Sequence, residues 1–171
     1  MFTGAEYLGR IPEVAADIIA AFEADGLRAP LDRHGPNFAR IQVSDGRSAS
    51  KVELVADRRR HEPVRLSIGP VLHLDDAVAN KVSAMYDRYE ARDFIDVAGA
   101  LQSGRYDHDT LITLLHGVQA GVTPDLLADS LAWASRHTDA AYAEYGITDR
   151  DLDDLRARFA DWRAELLGAR T

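Results

Sequence analysis

The stretch from Lys81 to Asp96 constrains the fold of this chain most, because it predicts two helices joined at a charged corner. Before the joint, apolar residues recur at three- and four-residue steps and predict one buried helix stripe: Val78, Val82, Met85 and Tyr89. A break near Glu90 and Ala91 ends this helix. The buried face of the next helix is then supplied by Phe94, Ile95, Val97, Ala98 and Leu101.

Two cations and two carboxylates are predicted to meet at this corner. Lys81 and Arg88 lie two turns apart and share one helix face, off the apolar stripe. Asp93 and Asp96 are three residues apart, so their carboxylates project side by side from the next helix. The cluster is either a site for an anionic ligand or a structural set of salt bridges that includes Arg92. Spacing alone favours the structural interpretation.

Composition excludes several kinds of function. The 171 residues fit one domain, or one domain with a small appendage, and the net charge of −8 argues against broad, non-specific nucleic-acid binding. The chain has no cysteine, and its six histidines lack the spacing of a metal motif. No apolar run of about 18 residues and no signal-peptide pattern occur. We therefore expect a cytoplasmic protein that does not bind membranes.

The periodicity changes from strand-like to helical along the chain. After a helix from Pro12 to Gly26, alternation predicts a hairpin of residues 38–43 and 51–56, with further extended pieces at 27–31 and 64–72. Asp75 or Asp76 is expected to cap the helix that contains Lys81. Later candidate helices span about 92–103, 108–119, 124–136, 138–145 and 148–167. The prediction is an α+β fold: a small, mostly antiparallel sheet region at 1–73 and a helical bundle at 74–171.

Other noticeable residues have structural interpretations as well as functional ones. Arg58, Arg59 and Arg60 form the basic run, a candidate RNA contact that is more often a solvated loop. The Asp-x-Asp pairs at 107/109 and 149/151 begin helices, where capping is the better interpretation. Four aromatic residues fall at core-like helical steps and are expected to pack inside: Trp133, Tyr145, Phe159 and Trp162.

A family resemblance rests on the corner and the residues before it. The segment Gly69-Pro70-Val71-Leu72-His73-Leu74-Asp75-Asp76-Ala77-Val78-Ala79-Asn80-Lys81 is followed by Tyr86-x-Arg88 and Arg92-Asp93-Phe94-Ile95-Asp96. The resulting pattern, Lys-x-x-Ala-x-x-x-Arg-x-x-x-Arg-Asp-x-x-Asp, resembles the AbiEii-type nucleotidyltransferase toxins. The strand Lys51-Val52-Glu53-Leu54-Val55-Ala56-Asp57 resembles the third-carboxylate strand of the same family.

This resemblance implies a partial nucleotidyltransferase fold and a place in a type IV-like toxin–antitoxin system, with an antitoxin as partner. Family members are expected to transfer a nucleotide from a nucleoside triphosphate (NTP), with Mg²⁺, to RNA such as a tRNA end or to a protein. The implied catalytic residues are Lys81, Asp96, Asp93 and Glu53. Phosphate binding is implied for Lys81, Arg88 and Arg92, and metal binding for Glu53.

The sequence departs from the family pattern in its metal-binding part. A Gly-Ser motif followed by Asp-x-Asp on a strand does not occur, and Met1-Phe2-Thr3-Gly4 resembles the residues that would follow it. Magnesium ions need several hard oxygen ligands, so Glu53, where the family more often has Asp, is an incomplete site.

These departures lead to two expectations and leave two alternatives open. We expect no detectable transfer activity from this polypeptide. The alternatives to a nucleotidyltransferase enzyme are a non-enzymatic remnant that binds a nucleotide, RNA or an antitoxin, and an α+β protein without a functional site. Missing N-terminal strands would leave an unpaired sheet edge, which predicts a homodimer.

Overall fold

A computed structural model describes residues 8–56 and 59–168. The chain divides into two compact units, the first ending at His73 and the second beginning at Leu74. None of the described helices is both long and apolar enough to cross a membrane.

The first unit packs one helix against a three-stranded antiparallel sheet. Its elements are α1 (Ile11–Ala24), β1 (Leu31–Gly35), β2 (Phe38–Ser44), β3 (Ala49–Val55), β4 (Val64–Leu66) and β5 (Gly69–Val71). Strands β1, β2 and β3 form the sheet in that order, and β4 pairs with β5 in a separate hairpin. Residues of α1, alternate residues of the sheet and residues next to the strands form one core: Ile11, Ala15, Ala29, Ala39, Ile41, Leu54 and Ala56.

The predicted hairpin is confirmed by the β2–β3 pairing, in which Ile41 lies opposite Val52. The structure corrects the bounds of two further extended pieces. Arg28 forms only an isolated bridge with Ser44, and the strand expected at 27–31 begins at Leu31. Residues 64–72 form two strands because the chain reverses after Leu66, and Gly69 adopts a φ of 118° that favours glycine.

The second unit is helical. Its elements are α2 (Leu74–Arg88), α3 (Ala91–Gln102), α4 (His108–Val118), α5 (Pro124–Leu131), a 3₁₀ helix (Ala132–Ser135), α6 (Asp139–Ala143) and α7 (Asp149–Gly168). The predicted stripe on α2 is confirmed for Val78, Val82 and Met85, which are buried in a core shared with Phe94, Phe159 and Trp162. Its fourth residue, Tyr89, lies beyond the end of the helix and is half-buried. Helices therefore follow strands along the chain, and the α+β prediction is confirmed.

Three predictions about the helical unit need correction. Helix α2 begins at Leu74, so Asp75 and Asp76 lie in its first turn and not at the cap position. The helix expected at 124–136 ends as α5 at Leu131 and continues as a tighter 3₁₀ turn. Tyr145 is 52% exposed, and therefore does not belong to the core.

Candidate functional site

The α2–α3 corner places the predicted charged residues in pairs. Helix α2 ends at Arg88, Tyr89 reverses the chain with a φ of 57°, and α3 begins at Ala91. The chain therefore turns back, so a residue on α2 can contact a residue on α3. Lys81 contacts Asp96, and Arg88 contacts Asp93.

The pair of Lys81 and Asp96 is accessible to solvent. Nζ of Lys81 lies 2.7 Å from Oδ2 of Asp96, and the side chains are 51% and 39% exposed. Exposed ion pairs contribute only about 0–1 kcal/mol to stability, because water competes for both charges. A phosphate could therefore replace Asp96 as the partner of the Lys81 ammonium group at a low cost in free energy.

The pair of Arg88 and Asp93 is asymmetric. Nη2 of Arg88 donates a 2.7 Å hydrogen bond to Oδ1 of Asp93. The arginine side chain is 48% exposed, but the aspartate side chain is only 1% exposed. Among residues 8–56 and 59–168, no hydrogen-bond partner reaches Oδ2 of Asp93. This buried carboxylate anchors one end of the guanidinium group and leaves much of it facing solvent.

Arg92 completes the set of cations near the corner. Its Nη2 lies 2.7 Å from Oε2 of Glu90, and each side chain is 49% exposed. Arg92 is the residue before Asp93 in the first turn of α3. The segment formed by α2, the turn at Tyr89 and α3 thus presents three half-exposed cations: Lys81, Arg88 and Arg92.

Glu53 lies on β3, on the sheet face opposite the residues that pack on α1. It stands opposite Arg40 in the β2–β3 register, and Nη2 of Arg40 is 2.6 Å from Oε1 of Glu53. Arg40 also reaches Asp32 at 3.8 Å, and Lys51 approaches Glu53 at 3.9 Å. The carboxylate predicted to bind metal is therefore held by a guanidinium group from the next strand.

The basic run is described only in part. Arg58 lies outside the described residues. Arg59 is half-buried and Arg60 is exposed, and both take part in interactions within the protein. The RNA-contact role of this run stays a prediction.

One group beside the corner was not foreseen from the sequence. The ring of Tyr89 stacks on Trp133 with centroids 5.4 Å apart and planes 9° from parallel. Arg136 places its guanidinium carbon 5.0 Å from the centroid of the Trp133 ring. Trp133 is 36% exposed, although its helical step predicted a core position. The three-residue spacing of Trp133 and Arg136 was the available signal, since it places both on one helix face.

The protein therefore has an α+β fold in which two adjoining helices, α2 and α3, present paired cations and carboxylates. The chain matches, over residues 2–170, the family described as "Nucleotidyl transferase AbiEii toxin, Type IV TA system". Since the match covers nearly the whole chain, the protein belongs to the AbiEii nucleotidyl transferase toxin family. No curated protein and no solved structure gives a significant match to the chain.

Proposed function

We propose that the α2–α3 corner binds the phosphates of an NTP, as the nucleotide-handling site of an AbiEii-type nucleotidyltransferase toxin. The observation that carries the proposal is the accessible contact between Lys81 and Asp96 on facing helices. In the family reaction, a nucleotide would pass to an RNA acceptor such as a tRNA end, or to a protein. The family is part of a toxin–antitoxin system, so an antitoxin is the expected regulatory partner.

The three cations suit different parts of a triphosphate. Lys81 is a compact point charge that can exchange Asp96 for a phosphate oxygen without a fixed geometry. Arg88 and Arg92 offer planar guanidinium groups, which can form two parallel hydrogen bonds with phosphate oxygens. Asp96 would then position Lys81 before binding and accept a hydrogen bond from a hydroxyl group afterwards.

Asp93 has a positioning role in this proposal. Because it is buried and bonded to Nη2 of Arg88, it restricts the arginine to one orientation. A guanidinium that is already oriented loses less conformational entropy when it binds a phosphate. Asp93 thus acts through Arg88 and does not need to touch the nucleotide.

The carboxylates on the described part of the sheet do not fit a magnesium site. Magnesium needs several oxygen ligands in near-octahedral array. Glu53 and Asp32 instead share the cation Arg40, which takes the position between the two acids that a metal ion would need. We therefore assign no step of a reaction to Mg²⁺ here.

For this polypeptide alone we propose nucleotide binding without detectable transfer. A second candidate function is a non-enzymatic module that binds an antitoxin. The Arg40–Glu53 contact favours it, because a neutralised carboxylate is suited to structure more than to metal chemistry. The first candidate predicts nucleotide binding and the second does not require it, so a binding measurement separates the two.

The decisive experiment measures NTP binding by isothermal titration calorimetry in the wild type and in Lys81→Ala. We expect Lys81→Ala to weaken NTP binding about tenfold or more, because a charge-assisted phosphate contact is worth about 1.5–3 kcal/mol. Its free energy of unfolding should change by less than about 1 kcal/mol, because the ion pair is exposed.

Arg150→Ala is the matched control, because it also removes an exposed cation that pairs with an aspartate. Arg150 is 91% exposed and lies 3.9 Å from Asp154 on α7. Equal NTP affinity in Lys81→Ala and the wild type would contradict the proposed site. A parallel assay with labelled NTP and tRNA tests the second half of the proposal. Incorporation of label that Lys81→Ala abolishes would show that this chain is active.

A further inference from the structure

A cluster of two stacked rings, with a guanidinium group close to one of them, adjoins the corner. We call it the aromatic stack, and it consists of Tyr89, Trp133 and Arg136. The rings of Tyr89 and Trp133 are nearly parallel, with centroids 5.4 Å apart, and the guanidinium of Arg136 lies 5.0 Å from the Trp133 centroid. Tyr89 is the residue directly after Arg88, so the stack begins where the cations of the corner end.

The stack includes a residue held in an unfavourable backbone conformation. Tyr89 has a φ of 57°, at the end of α2, a place where glycine is the usual residue. Its carbonyl oxygen accepts a hydrogen bond from Nε2 of His137, which lies one residue after Arg136. Tyrosine is strained at this position, and the strain is balanced by contacts of its ring and carbonyl with the segment that carries Trp133.

The stack is open to solvent and positively charged. Trp133 is 36% exposed, and Arg136 is exposed. Within the described part of the chain, Arg136 has no carboxylate partner, and its contact is the Trp133 ring. The chain has a net charge of −8, so the guanidinium group over the exposed indole is a local positive charge on an acidic protein.

Nucleobases are a class of ligand that binds both planar cations and exposed aromatic rings. Nucleobases stack on aromatic rings and on arginine planes, and phosphates of the same ligand bind nearby cations. An apolar protein segment would match the indole but not the unpaired guanidinium. A nucleic-acid base with its phosphate matches both.

We propose that the aromatic stack is a nucleobase-binding platform beside the phosphate-binding corner. This inference rests on the proposed function and extends it by naming where the base lies. The base can belong to the bound NTP or to an unpaired nucleotide of an RNA acceptor. Stacking would be tolerant of base identity, because every base has a planar face.

The first test measures binding of a fluorescently labelled, short single-stranded RNA by anisotropy, and of unlabelled NTP by calorimetry. We expect Trp133→Ala to weaken binding of one of these ligands about tenfold, in line with the loss of one base–aromatic contact. Trp133→Phe should restore most of the affinity. Arg136→Lys keeps the charge but removes the plane, and it should weaken binding less than Trp133→Ala.

Tyr145→Ala is the matched control, because Tyr145 is also an exposed aromatic residue, at 52%, outside the stack. It should leave both affinities unchanged. Duplex RNA should bind no better to the wild type than to Trp133→Ala, because its bases are not available for stacking. Circular dichroism of each variant shows that the fold is kept.

A second readout uses the two tryptophans of the chain. Trp162 is 1% exposed, and so base stacking should quench the fluorescence of Trp133 alone. Quenching by RNA but not by NTP assigns the platform to the acceptor, and the reverse assigns it to the nucleotide. No quenching by either ligand, together with equal affinities for the wild type and Trp133→Ala, would overturn the inference.

Lys81→Ala separates this inference from the proposed function. If the corner binds phosphate but the stack binds no base, Lys81→Ala weakens NTP binding and Trp133→Ala does not. If the proposed phosphate site is wrong but the stack is a platform, Trp133→Ala alone weakens binding. The two failures thus give opposite results.

Discussion

Burial decides which charged residue at the corner matters most for stability. Arg88 is half-exposed and can reach water when it loses its partner. Asp93 is buried, and its Oδ1 depends on Nη2 of Arg88, while Oδ2 already lacks a partner among the described residues. The two members of one ion pair should therefore respond differently to mutation.

We expect Arg88→Ala to destabilise the protein by about 2–3 kcal/mol, because it leaves a buried carboxylate without its donor. Asp93→Asn keeps the shape of the side chain and should cost about 1 kcal/mol or less, since Arg88 turns to solvent. Urea unfolding followed by circular dichroism measures both. Equal losses in the two variants would show that burial of Asp93 is not the cause.

At the scale of the element, helix α4 is stabilised at its first turn by the cap predicted from the sequence. Oδ1 of Asp107 accepts hydrogen bonds from the N–H and the hydroxyl group of Thr110, at 2.8 Å and 2.5 Å. These bonds hold the pKa of the Asp107 carboxyl below its ordinary value of 3.8. The charged form of Asp107 is therefore favoured by folding.

This pKa predicts a pH dependence that Asp107→Asn should reduce. Because the pKa is lower in the folded state, the stabilisation is present above the ordinary value of 3.8 and is lost as pH falls through the lower folded value. Asparagine also caps helices but does not titrate in this range. Urea midpoints at neutral pH and near pH 3 should thus differ less in Asp107→Asn than in the wild type.

The matched control for the cap is Asp109→Asn. Asp109 lies in the same first turn, but its carboxylate accepts no hydrogen bond from any described residue. The acid sensitivity of this variant should stay that of the wild type. An identical effect of the two substitutions would point to the overall charge of the turn and not to the cap.

For the whole molecule, the main fact is that each unit has its own buried core. The core of the first unit is drawn from residues between Ile11 and Ala56. The core of the second unit is drawn from residues between Val78 and Trp162. Burial of apolar side chains is the main stabilising contribution to a fold, so each unit contains that contribution within its own sequence.

We expect a fragment of residues 74–171 to fold by itself, because its described core, from Val78 to Trp162, is drawn from its own residues. Its circular dichroism should be helical, and its thermal unfolding should be cooperative. Phe159→Ala in the fragment should cost about 3–5 kcal/mol, the usual loss for a buried phenylalanine. A fragment without cooperative unfolding would contradict this expectation.

The edge strands of the sheet are relevant to the expected homodimer. Strands β1 and β3 are the edges of the described three-stranded sheet. The register of β1 is irregular between Leu31 and Arg33, and β3 carries Lys51 and Glu53, features that discourage edge pairing. The homodimer stays a prediction.

Elements whose signals are local could be predicted from the amino-acid pattern. The alternation of 38–43 and 51–56 predicted the hairpin, and the apolar stripe with its break near Glu90 predicted the corner of α2 and α3. These signals suffice because periodicity and turn residues act over a few neighbouring positions. Residues 64–72, by contrast, were predicted as one extended piece, and the structure divides them into β4 and β5.

The burial and pairing of the charged and aromatic residues depend on how the helices and strands pack. Spacing placed Asp93 and Asp96 side by side, but packing buried Asp93 and left Asp96 accessible. Packing also placed Trp133 on Tyr89, and register placed Arg40 on Glu53. Burial and pairing depend on residues that are distant along the chain, and a pattern of neighbours carries no information about them.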